Sequence, residues 1–196
     1  MELKQSKTQI LSNLFDYTEN WYQQFFKQIK LPKIKIDNNQ IDKGIPNKDI
    51  PKVGNNDGWY PFYGYEIFIN KVKLFLENRF DEKITPNMQL IYYPKNGYMN
   101  WHTNSDSPCT RIYLVRAEEN PLSEMRFEDK IIKDDPLWSF NVFKIENKTW
   151  HCVNALTPRL SLGFHYQGNL NVKQIGEYLI WQKLEIYLVL SVLVDR

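Results

Sequence analysis

The apolar residues of this chain change period once, and that change limits the folds open to it. Up to Phe80 they follow a helical repeat, and from Met88 onward they alternate. Ile10, Leu11, Leu14, Tyr17, Trp21 and Phe25 fall on one helical stripe, with Thr8 or Ser6 placed to cap it. Phe68, Val72, Phe75, Leu76 and Phe80 form a second stripe and predict a helix over about residues 65–79. Asp81 to Asn87 breaks it, with Pro86 as the stop. Then Met88–Tyr93, Arg111–Ala117, Leu137–Ile145, His151–Val153 and Arg159–Tyr166 read as short strands. Turn signals separate them at Pro94 to Gly97, Ser107-Pro108, Asn120-Pro121, Asp134 to Pro136 and Glu146 to Lys148. Two helices followed by many short strands predict an α+β chain, whose sheet part is a sandwich or barrel of the jelly-roll kind. The expected single domain divides into helices and a long loop over 1–87, a jelly-roll core over 88–170 and an apolar segment over 171–196.

Two stretches resist the pattern. Leu31 to Asn56 carries Pro32, Pro46 and Pro51 and reads as a long connection, with one short strand expected at Lys33–Ile36. Ile175 to Arg196 is apolar and compatible with either a helix or a strand. Its longest apolar run, Ile186 to Val194, is too short to span a bilayer. A net charge of +2 advertises neither a nucleic-acid nor a membrane partner. The N-terminal MELKQSKTQILSNLF is too polar for a signal peptide, and Cys109 and Cys152 lack any metal-finger spacing. Both thiols are expected to be reduced and packed, in a cytoplasmic protein.

Chemistry has few places to reside, because the chain has three histidines. His102 sits in the polar WHTNSD stretch, and His151 opens a strand that leads eight residues later into RLSLGF. Along that last strand Arg159, Ser161 and Gly163 share one face, and Leu160, Leu162 and Phe164 share the other. Two orientations are open. The polar face turns inward, where the arginine demands an anionic partner, or it turns to solvent and leaves the leucines as core. Arg111 likewise either pairs with a carboxylate inside the barrel or ends its strand in water.

LIYYPKNGYMNWHTNSD resembles the approach to the first metal histidine in Fe(II)/2-oxoglutarate-dependent oxygenases, with His102 nine residues after Tyr93. RIYLVRAEENPLSEMRF resembles their next strand and its turn, and FNVFKIENKTWHCVNALTPRLSLGF their closing half. The resemblance covers roughly Met88 to Tyr166 and implies a double-stranded β-helix (jelly roll) with N-terminal supporting helices. It implies His102 and His151 as ligands of Fe(II), and Arg159, helped by Ser161 and Tyr93, as the site for 2-oxoglutarate. Dioxygen is the oxidant, with ascorbate as a possible reductant. The family pattern is His-x-Asp or His-x-Glu, whereas this chain reads His102-Thr103-Asn104. The third ligand is therefore Asn104, or Asp106 in a wider turn, or neither. Trp101, Trp138 and Trp150 either wall the site or are core, and His165 is read as structural. The implied activity is hydroxylation of a C–H bond in a protein or small molecule, in either a prolyl-hydroxylase-like or a nucleic-acid-demethylase-like branch, with nucleic acid the less favoured substrate. A jelly-roll binding module without turnover, and a cupin-type metalloenzyme that needs no oxo-acid, are the competing expectations.

Overall fold

The computed structural model describes residues 7–28, 59–80, 83–103, 109–118, 121–145 and 149–166. The strand expected at Lys33–Ile36, both third-ligand candidates Asn104 and Asp106, and the segment 171–196 lie outside the described residues.

Helix α1 spans Lys7–Gln24, with a 3-10 turn at Phe26–Gln28, and α2 spans Glu66–Phe80. The strands are β1 (Tyr60–Phe62), β2 (Ile84–Tyr93), β3 (Gly97–His102), β4 (Cys109–Ala117), β5 (Glu124–Phe127), β6 (Ile131–Lys133), β7 (Leu137–Ile145), β8 (His151–Ala155) and β9 (Arg159–Tyr166). They pair into two antiparallel sheets, ordered β1-β2-β9-β4-β7 and β3-β8-β5-β6. Strands adjacent in the chain repeatedly fall in opposite sheets, which is the winding of a jelly roll. The fold is α+β, as the change of period predicts. No described helix is long and apolar enough to cross a membrane.

The last strand's ambiguity is resolved because both of its faces are covered, seven of its eight residues being buried. Leu160, Leu162 and Phe164 pack with Ile112 and Leu114 beneath Leu14, Trp21, Phe68, Val72 and Leu76 of the helices. Trp21 and Phe68 stack at 4.0 Å between ring centres, locking α1 to α2. Glu19 of α1 accepts hydrogen bonds from Arg116 Nε at 2.9 Å and Trp138 Nε1 at 2.7 Å, which moors the helix to β4 and β7. One expected core residue is replaced by its neighbour. Phe25 is 58% exposed and Phe26 takes the buried place, because the chain tightens from α into 3-10 geometry there. Arg159 and Ser161 point the other way, into the space between the sheets, and are also buried.

Four strands have no counterpart among those expected. β1 and β6 hold three residues each and β5 four, too few to show a period. β3 looks like a Gly-containing loop in sequence because its alternation is interrupted by a bulge. β2 starts earlier than expected, at Ile84, and carries Pro86 beside a shift of register between Pro86 and Leu90.

Candidate functional site

The bulge in β3 is what aims His102. Met99 pairs with Val153 and His102 with His151, so three steps along β3 match two along β8. One residue is in excess, and Met99 and His102 consequently face the same side although their spacing is odd. Asn100 fills the irregularity with its own side chain, Oδ1 accepting from Trp101 N at 2.9 Å. On β8 no bulge is needed, since His151, Val153 and Ala155 alternate inward.

The two imidazoles end 4.2 Å apart between ring centres, with planes 53° apart. His102 Nδ1 lies 2.7 Å from the Asn100 carbonyl oxygen and His151 Nδ1 3.1 Å from that of Thr149. A carbonyl can only accept, so each Nδ1 carries the hydrogen and each Nε2 holds its lone pair on the far side of the ring. This is the outer-sphere arrangement that fixes a metal-binding histidine. The spacing fits a shared cation. A ring centre sits ~3.2 Å from a metal met by its nitrogen at about 2.1 Å, so two rings at right angles around one cation have centres ~4.5 Å apart.

The electrostatics agree. Burial first, and then the neighbouring His102 imidazole, push His151 down to about 3, while the Thr149 carbonyl works the other way and Arg111 adds a further downward push. His151 therefore stays neutral, the form that coordinates a cation. Phe127 stacks at 5.8 Å from the His151 ring, and Phe143 lies 6.3 Å from it. These two phenylalanines wall the imidazoles. Trp138 belongs to the helix-side core, and Trp101 and Trp150 form a separate buried cluster with Tyr98 and Cys152. Cys109 and Cys152 are both buried and form no disulfide. Among the described residues no group of three His, Cys, Asp or Glu side chains surrounds one point.

Arg159 is buried, as an inward arginine must be, and the chain itself supplies a carboxylate beside it. Nε donates to Asp134 Oδ2 at 2.6 Å and Nη2 to Oδ1 at 3.4 Å, with both side chains at most 1% exposed. Asn141 Nδ2 donates to the same carboxylate at 2.6 Å, and the guanidinium lies over the Tyr93 ring at 5.4 Å. Burial opposes the charge on Arg159, and Asp134 with Tyr93 and Tyr113 outweighs it, so its pKa rises. Burial also drives the Tyr93 phenol upward. Tyr93, Arg159 and Ser161 are indeed brought together, since Tyr93 pairs with Arg159 and Ser161 lies two residues along the same strand face. In sequence Asp134 is part of a turn signal. The signal that could have found it is the arginine's need for a counter-charge, which an acid at the mouth of β7 can meet.

Arg111 meets neither of its expectations. It is 5% exposed, so it does not end a strand in water, and its buried Nε and Nη1 have no hydrogen-bond partner. His165 is its cross-strand neighbour, and that residue's buried Nε2 is also without one.

No family model matches the chain, and no curated protein does. Among solved structures it is similar to a prolyl hydroxylase from Trichoplax adhaerens in complex with a hypoxia-inducible-factor peptide fragment (15% identity, TM-score 0.43, 81% of this chain and 77% of that one). It is also similar to a predicted oxalate decarboxylase from Thermotoga maritima (11%, 0.33, 56% and 79%). A third is a conserved protein of unknown function from Streptococcus pyogenes (11%, 0.31, 42% and 64%), of which this chain spans less than two thirds. The strand order of this chain is what makes it a jelly roll, and its own side chains define the site.

Proposed function

We propose that this protein is a non-haem Fe(II)-dependent oxygenase that uses 2-oxoglutarate and dioxygen to hydroxylate a C–H bond in a protein or small molecule. The observation that carries this reading is the buried imidazole pair, with both Nδ1 atoms committed to backbone carbonyls. His102 and His151 hold the metal through Nε2. Asn104 or Asp106 supplies the third ligand, both being within four residues of His102 in sequence. When bound, the iron supplies the oxidative chemistry, in which one oxygen atom of dioxygen enters succinate as carbon dioxide leaves and the other becomes the product hydroxyl. The protein's share is positional. The Asn100 and Thr149 carbonyls hold the two rings in one tautomer, and Phe127 and Phe143 exclude water from their flank. No step is assigned to Arg159, whose guanidinium is already engaged by Asp134.

That same ion pair favours a second reading, a jelly-roll metalloenzyme that needs no oxo-acid. The two are separated by loading purified protein with Fe(II) without oxygen, then adding 2-oxoglutarate, ascorbate and air. The oxygenase reading expects succinate, reduced at least ~100-fold in His102→Ala and His151→Ala, since even outer partners of a metal ligand are worth ~10–100-fold. Iron bound at full stoichiometry with no succinate would remove the oxo-acid and leave the second reading.

A further inference from the structure

The inner face of the five-stranded sheet carries two buried arginines, and only one is neutralised. Arg111 on β4 pairs across the sheet with Phe143 of β7 and His165 of β9. Phe143 is the side chain whose ring approaches His151 at 6.3 Å, so Arg111 stands one cross-strand neighbour from the imidazole pair. Its Nε and Nη1 are buried without partners, as are His165 Nε2 beside it and, further along β7, the Ser139 hydroxyl. Among the described residues no carboxylate pairs with Arg111, whereas Asp134 is committed to Arg159 and Asn141. Two guanidinium nitrogens kept from water without a counter-charge are expensive for a fold to bury. Such a site is completed by an anion from outside, and a planar guanidinium best matches a carboxylate. A dianion placed at Arg159 would instead face the Asp134 carboxylate.

We infer that Arg111 is the residue that receives an acid: its guanidinium takes a carboxylate of the small organic acid serving the metal centre, with His165 Nε2 as the adjacent polar atom. Arg159 remains a closed structural pair. The identity of the acid as 2-oxoglutarate, and so its use as the probe, rests on the oxygenase reading. Arg111 thus becomes the specificity residue for the co-substrate, in a strand to which the resemblance assigns no such role.

The test measures 2-oxoglutarate binding by calorimetry, in the metal-free protein and in protein loaded with Mn(II), which binds without turnover. Arg111→Gln should weaken the acid about ten- to hundred-fold, the worth of one charge-assisted contact. It should leave Mn(II) stoichiometry unchanged, and Arg111→Lys should recover part of the loss. The double variant Arg159→Gln with Asp134→Asn, which removes both charges together, should keep the acid within about twofold. Loss of binding in the double variant with full binding in Arg111→Gln overturns the inference. So does a wild-type protein that binds no 2-oxoglutarate in either form. Arg111-dependent acid binding in a protein that takes up no metal would uphold the inference while removing the oxygenase reading.

Discussion

The two inward arginines sit on neighbouring strands of one sheet and face the same interior, yet they are opposite in kind. Arg159 has a carboxylate at 2.6 Å, an amide behind that carboxylate and an aromatic ring beside it. Arg111 has an apolar neighbour on one side and an unpartnered imidazole on the other. The lesson is that inwardness alone does not mark a functional arginine. A charge the chain neutralises itself serves the fold. A charge it leaves open is a cost that the fold carries for something else.

Breaking the closed arginine should do the most damage. Asp134→Ala strands the Arg159 charge in the interior and should cost about 3–5 kcal/mol in urea unfolding. A smaller loss would mean that Arg159 reaches water or another anion. Next comes the apolar side of the same sheet. Leu162→Ala, under the helices, should cost about 2–5 kcal/mol and leave metal uptake intact, because the two faces do separate work. Arg111→Met sharpens the contrast, since removing an unsatisfied buried group should raise the stability of the acid-free protein by about 1 kcal/mol. A loss of several kcal/mol on unfolding would show that Arg111 has a partner of its own.

The smallest effect concerns pH. Burial and Arg111 push His165 down to about 4, against an ordinary value of 6.5. As pH falls below 6.5 the unfolded chain takes up a proton that the folded one refuses, so stability is complete above that value and declines toward pH 4. His165→Gln should make the fall of the urea midpoint across that window shallower, leaving the part due to His151, which is pushed down further, to about 3. A profile as steep as wild type's would assign the acid sensitivity to other groups.

Much of the fold is readable from residues alone, and the unread parts have physical causes. β7 and β9 fall where alternation puts them because nothing interrupts their pleat. β3 does not, because the bulge that turns His102 inward also scrambles the pattern that would reveal it. His102 and His151 emerge from their scarcity and from the company they keep. Asp134 does not, because a turn aspartate and a buried counter-ion look the same until the strands are paired. Phe143 is hidden for a related reason. Its strand, Leu137–Ile145, reads correctly, but which inward residue lies beneath His151 depends on how the two sheets meet.

The central claim is that two imidazoles from separate strands hold one metal ion. Electron paramagnetic resonance of the protein loaded with one equivalent of Cu(II) tests this directly, since bound imidazole nitrogens leave countable couplings. The predicted spectrum shows two imidazoles in the wild type and one in each of His102→Ala and His151→Ala. A wild-type spectrum without imidazole coupling, or one unchanged by either substitution, would contradict it.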